Sequence, residues 1–504
     1  MTPKIAKNIF LPAVLIIAFF SSCKKDLDQV PISAATSETF YASAQDFLQG
    51  TNAVYANLLP YPDRLINLSE TRSDNLYAVS VGGVRDWEGI NDFSNTITGN
   101  PYVEEAWATN FNGIFKANSL IDQLHRNGGV IGSAALQTRY EGEAKFLRAF
   151  YYFDLVRWFG KLPIVDHPIS GSDALSIGRS AVADVYTLII SDLQFAIANL
   201  PASYTGTDKG RATKYAAEGI LALVYMTRSA PDYGIEGPGL GSNEWNLALP
   251  LLNDIIASPN YSFLSSYNSI FSYTNENNPE VVFDVQYTSG LTPVKGASFI
   301  GLLVPDGYFQ SLGVVVPGTS NLRPVSNNLL ASYEAGDTRQ NFSIHNGYIF
   351  NGDQETRSFF VKYLDITRIP ANQLDWPINF IVLRYTDVLL MKAECVLHGA
   401  PGSQTTDVDN VVNKVRGRGG LTTPLVGVTL PQLFEERRKE FASEGTRWHD
   451  LVRSGNIGSI MTAWIAADDV QHKIQPFQNN FIIYPIPQSQ LDVKPGLFSQ
   501  NKGY

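Results

Sequence analysis

Residues 140–165 read YEGEAKFLRAFYYFDLVRWFGKLPIV, and few folds can accommodate such a run. Ala144, Leu147, Tyr151, Leu155 and Trp158 recur at three- and four-residue steps, the spacing of one apolar stripe on an α-helix. Phe146, Phe150 and Phe153 add an aromatic stripe beside it. A helix apolar on two sides must lie between other elements, not on a surface. Arg148, Asp154 and Arg157 stand inside this apolar surround, so they are expected to pair internally. Gly160 ends the helix, Lys161 lies at its negative end, and Pro163 blocks continuation.

Helical spacing recurs along the chain. It predicts helices over Thr36 to Leu59, Val103 to Leu124, Ala212 to Met226 and Trp245 to Ala257. A further helix follows Ser180, read as its N-cap, and runs until Pro201. Arg384 to Leu397, Asp407 to Arg416 and Leu430 to Ser443 complete the set. Asn277 to Asp375 differs: it is rich in Gly, Pro, Asn, Ser and aromatics, with short β-like runs such as Glu280 to Tyr287. A long irregular stretch in a compact protein is usually functional surface. Gly455 to Tyr504 reads as similarly irregular. The fold class is therefore mainly α, one globular unit with a helical scaffold carrying loops and short β elements.

The N-terminus addresses the chain to a compartment. Lys4 and Lys7 precede the apolar run Ile9 to Phe20, and Ser21-Ser22-Cys23 follows. This is a secretory signal over 1–22 ending in a lipobox-like site, with Cys23 as the lipidation residue. Stable anchoring takes more than one acyl chain, at ~0.8 kcal/mol per buried methylene, and a triacylated cysteine meets that need. Residues 23–35 read as the lipidated cysteine and a charged tether. Cys395 is the one other cysteine, so a lipidated Cys23 leaves no intramolecular disulfide. In its helical run Cys395 reads as a buried, inert thiol. The formal charge is −10, and loss of Lys4 and Lys7 with the signal makes it −12. An acidic chain without a basic stripe argues against nucleic acid.

Glu436, Glu440 and Glu444 share one helical face and could supply paired carboxylates. Arginines alternate with them, and Arg447, Asp450 and Arg453 follow, so a charge-paired junction between helices is the better reading. None of the six histidines forms a close ligand pair, so no metal and no cofactor are expected. No Gly-x-Ser-x-Gly elbow is present, and Gly417, Gly419 and Gly420 lack the placement of a dinucleotide loop.

The 140–165 run, the ERR…EG…RW…D…R pattern of 436–453, and Tyr484-Pro485-Ile486-Pro487 with a terminal Asn501 to Tyr504 together resemble the SusD/RagB family. Lys494 and Lys502 stand where that family has asparagine and proline. The resemblance implies a SusD-like fold with tetratricopeptide-like helix pairs, an N-terminal helical part over 36–265 and a C-terminal part over 266–504. It implies a non-enzymatic surface lipoprotein of the outer membrane that binds oligosaccharide for nutrient uptake and partners a SusC-like TonB-dependent transporter. In this family the 436–453 pattern is structural.

A sugar site needs flat rings against pyranose C–H faces and polar groups for the hydroxyls. Ser73-Asp74-Asn75 and Arg85-Asp86-Trp87-Glu88-Gly89-Ile90-Asn91 offer that mixture. The resemblance implies glycan contacts at Asp74, Arg85, Trp87 and Asn91, with Asn75 adjacent. Tyr287, Tyr308, Phe309 and Trp376 of the irregular middle are second candidates. Trp107, Trp158, Trp245 and Trp448 fall in helical runs and read as core. Two alternatives stay open on the residues alone: the same fold binding peptide or another polymer, and a lipid-anchored glycoside hydrolase.

Overall fold

A computed structural model describes residues 40–79, 85–316, 322–402 and 404–504. The signal, Cys23 and the tether lie outside them.

The longer helices of the first half are α1 (Ala44–Tyr55), α2 (Pro101–Asn127), α3 (Ala134–Phe159), α4 (Val182–Asn199), α5 (Lys214–Ser229) and α6 (Trp245–Ala257). Local chemistry sets their starts. The side chains of Ser43, Asn100, Ser133 and Thr213 accept hydrogen bonds from backbone amides in the first turns of α1, α2, α3 and α5. Pro101 opens α2, where its missing N–H costs nothing. Each helix then packs on its neighbour: α3 lies between α2 and α4, and α5 between α4 and α6.

The run from Phe146 to Phe159 of α3 is buried at every position. Its charges pair inside, as expected. Arg148 donates to both carboxylate oxygens of Asp192 on α4, at 2.7 and 2.8 Å. Asp154 accepts from Arg64 at 2.7 Å and from the Trp158 indole at 2.9 Å. Gly160 terminates the helix at φ +69°, and a Cβ there would lie 1.8 Å from the Glu236 carbonyl oxygen. Only glycine satisfies both constraints.

The second half contains α7 (Tyr385–Leu397), α8 (Thr405–Arg418), α9 (Leu430–Glu440), α10 (Arg447–Arg453) and α11 (Ile457–Asp468). Leu390, Val408, Val412 and Leu433 form a smaller core between α7, α8 and α9. Between the halves, β1 (Val281–Val285) pairs antiparallel with β4 (Phe380–Arg384), and β2 (Ile344–Phe350) with β3 (Asp353–Phe360). Asn351 and Gly352, both at positive φ, turn the β2–β3 hairpin.

Three local expectations differ from the structure. Ser180 is not the cap of α4: Ala181 takes that position, because the Ser180 amide pairs with the Leu162 carbonyl at 2.7 Å. The helix expected to reach Ser443 stops at Glu440. Ser443 adopts φ +68° and its amide donates to Glu70 at 3.0 Å. Helix α11 lies in a stretch read as irregular, burying Ile457, Met461 and Trp464 at helical spacing.

The 436–453 charges form a buried network. Glu440 accepts from Arg339 at 3.0 Å, Arg384 at 2.8 Å and Arg418 at 2.5 Å. Burial alone would raise its carboxyl pKa, but the three guanidinium groups hold it well below the usual range. Arg437 pairs with Asp450 and Asp387, and Arg453 with Glu394. Arg72 joins the C-terminal motif to the first half, with its guanidinium 4.1 Å from the Tyr484 ring centroid and donating to the Tyr504 hydroxyl at 2.8 Å.

Candidate binding site

The loop after the first helices folds back on itself through its polar residues. Asp74 is buried and accepts from Arg447 Nε and Nη2, both at 2.8 Å, with Arg438 at 3.1 Å. Burial pushes its carboxyl pKa up, yet Arg438 and Arg447 outweigh this and hold it at about 2. Asn75 donates to Glu70 at 2.9 Å and accepts from Arg438 at 2.8 Å. Asn91 donates to the carbonyls of Thr71 and Leu76, at 2.7 and 3.1 Å, and accepts from the Ala78 amide at 3.0 Å. These three side chains face protein partners and fix the loop's shape.

Trp87 opens the short helix Glu88–Asn91. The preceding residue is tied to α2, because Asn100 donates to the Asp86 carbonyl at 2.8 Å. An antiparallel bridge between Leu76 and Val325 brings Arg323 to the same place. The guanidinium of Arg323 lies 4.8 Å from the Trp87 ring centroid and 6.0 Å from that of Tyr102. Arg323 Nη1 donates to Asn67 at 2.8 Å and to Thr71 at 3.0 Å. Its Nε and Nη2, the Trp87 indole N–H and Asp63 Oδ1 are buried atoms without a well-formed hydrogen bond to the protein, the Tyr102 hydroxyl being the polar group beside the guanidinium. Asp63 Oδ2 accepts from Ser298 at 2.6 Å. Burial lifts the Asp63 carboxyl to about 6 and lowers the pKa of the Arg323 guanidinium. A buried polar group without a partner costs ~1–3 kcal/mol, so three donors and an acceptor gathered here form a place suited to polar recognition. Trp87 is 8% exposed, so the indole offers an edge and its N–H more than an open face. Arg85 and Tyr102, both half-buried, flank it.

The candidates of the irregular middle divide. Trp376 is fully buried, pairs its backbone with Ala297, and donates from its indole to the Gln373 carbonyl at 3.0 Å. The Phe309 ring packs on it at 5.8 Å. Tyr287 donates to the Leu59 carbonyl from a buried position. Tyr308 faces the other way, half-buried, with ring centroids of His345 at 4.9 Å and Tyr348 at 6.0 Å. The structure thus sets Trp87 beneath Arg323, with Arg85 two residues before it in the chain. It sets Tyr308 in an aromatic cluster of the β2 strand and places Tyr287, Phe309 and Trp376 in the packing beneath the loops.

Arg323, Tyr102, Asp63 and Asn67 did not emerge from the sequence. None sits in a motif, and Arg323 reaches Asn67 across 256 residues. The only hint was the irregular character of the stretch that holds Arg323.

Two family models match the chain. One, described as "Starch-binding associating with outer membrane", covers residues 27–226, and the SusD family model covers residues 345–504. The SusD-like protein P25 of Formosa agariphila is 26% identical, with 99% of each chain aligned. Among solved structures, surface glycan-binding protein A of Bacteroides thetaiotaomicron, in complex with laminarihexaose, superposes with a TM-score of 0.78 at 22% identity, covering 92% of this chain and all of that one. A laminarin-binding SusD-like protein superposes at 0.74 with 27% identity, again over 92% of this chain and all of the other.

Proposed function

The chain belongs to the SusD/RagB family, and we infer that it captures a neutral oligosaccharide at the Trp87–Arg323 site and passes it to a TonB-dependent transporter. As a SusD-family protein it binds glycan rather than cleaving it. The reading rests on one observation: buried donors of Trp87 and Arg323 and an acceptor of Asp63 stand without well-formed hydrogen bonds to the protein. A polyol supplies both acceptors and donors to such a set, whereas an apolar ligand would leave them unmet. Glucan is the first class to test, because the 27% identical relative binds laminarin. The signal and lipobox-like site support an outer-membrane anchor at Cys23.

Calorimetric titration of the mature protein with laminarihexaose and with maltohexaose tests the reading. Each sugar contact gains little because water already satisfies the hydroxyls, which predicts a Kd between about micromolar and millimolar. Arg323→Ala should abolish the heat. Unchanged affinity in that variant removes the site from the reading, and release of shorter sugars by wild-type protein removes the function itself.

A further inference from the structure

A pair of clefts lies elsewhere. Two adjoining clefts, of about 240 and 210 Å³, open on either side of the 209–211 ridge between α4 and α5. Both are lined by Lys209, Gly210, Arg211 and Asp284. Tyr204, Asn260 and Tyr261 complete the first, and Asn52, Tyr55 and Gln286 the second. The ridge is thin because Gly210 forms it at φ +92°, where a Cβ would fall 2.6 Å from the Gln286 side chain. Taken together the clefts reach the ~300–1,000 Å³ typical of ligand pockets.

Their chemistry narrows the ligand. Asp284 is buried at the floor, and its carboxylate meets amides rather than a cation: Gln286 donates at 2.5 Å and Asn379 at 3.2 Å. Burial lifts this carboxyl to about 7, so near neutral pH it both accepts and donates. Arg211 is already engaged by Glu143 at 2.8 Å and Asn52 at 2.6 Å, which leaves the exposed Lys209 as the available cation. The Tyr204 hydroxyl is buried and meets no protein partner. One carboxylate without histidine or cysteine is a poor metal set. Amides, phenols and one carboxyl stand here among Val281, Phe283, Leu58 and Leu59, a mixture that gives hydroxyl groups partners and the ring C–H faces between them apolar contact.

We propose that the twin cleft around Asp284 is a second saccharide-binding site, taking two or more linked sugar units across the Gly210 ridge. It shares no residue with the Trp87–Arg323 site and stands or falls separately from it. The test is a glycan array probed with mature wild-type protein, with Arg323→Ala, with Tyr204→Ala/Lys209→Ala, and with all three changes combined. Thermal melts establish that each variant is folded, and Tyr102→Ala replaces Arg323→Ala if that variant is not. The expected result is at least one glycan retained by Arg323→Ala whose affinity falls tenfold or more in the triple variant. Retention of every such glycan by the triple variant overturns the proposal, as does the absence of any retained glycan. If Arg323→Ala binds everything like wild type, the Trp87–Arg323 reading fails instead. Tyr204→Ala/Lys209→Ala alone must then remove binding for the cleft to stand.

Discussion

Arg447 grips Asp74 across 373 residues through two hydrogen bonds of 2.8 Å, with both side chains buried. The contact joins the loop after the first helices to the last third of the chain. Removing Arg447 takes both of these hydrogen bonds from the buried carboxylate and leaves it to Arg438 alone, where breaking a buried pair costs ~3–5 kcal/mol. Arg447→Ala should therefore lower the thermal midpoint clearly, measured by circular dichroism. A variant that melts like wild type but loses glycan would move Asp74 from scaffold to site.

The same pair sets an acid limit. Asp74 has a folded pKa of about 2 against an ordinary 3.8. Its stabilising contribution is complete above the unfolded value and disappears as pH falls through the folded one. On the order of 2 kcal/mol should be lost between about pH 4 and pH 2. Asp74→Asn should lack this step in urea titrations across that range.

Asp284 behaves oppositely. Its carboxyl lies at about 7 in the folded protein against an ordinary 3.8, raised first by burial and then by Glu276, against Gln286, Asn379 and Lys209. The folded state holds the proton longer than the unfolded one, so stability falls as pH rises from about 4 to 7. The loss is on the order of 4 kcal/mol. Asp284→Asn should melt higher than wild type at pH 8, with the gap closing by pH 4. An equal gap at both values would contradict the assignment.

A sugar-stacking tryptophan presents a flat face to solvent, and Trp87 does not. The indole is 8% exposed beneath the Arg323 guanidinium. Trp87→Ala should therefore weaken laminarihexaose binding at least tenfold and also cost ~3–5 kcal/mol of stability. Trp87→Phe keeps most of the bulk and removes the unpartnered N–H. It should restore much of the melting temperature without restoring affinity. Calorimetry beside thermal melts separates the two effects.

The anchor prediction is independent of these. Cys23→Ser should leave the protein unlabelled by metabolic palmitate and absent from the membrane fraction. Equal labelling of mutant and wild type would reject lipidation at Cys23.

The sequence showed what depends on periodicity. The stripes of α3, its internal charge pairs and the limits of Trp245–Ala257 could all be read from local spacing. It also marked the 436–453 charges as scaffold, because alternating signs on one face imply pairing. Distant convergence was not legible. Nothing near Asp74 announces Arg447, and nothing near Trp87 announces Arg323. Both meetings depend on tertiary bridges such as Leu76 with Val325. Helix α11 was missed for a different reason. Its apolar positions 457, 461 and 464 follow helical spacing but sit among Gly and Asn signals that read as loop.

Glu440 draws Arg339, Arg384 and Arg418 from three separate segments. A partly folded chain that has gathered only some of them holds like charges, or a lone carboxylate, away from water. Such intermediates lie high in energy, so this part of the molecule should open all at once rather than fray. Amide hydrogens around α9 and β4 should then exchange only with global unfolding, all with one shared free energy.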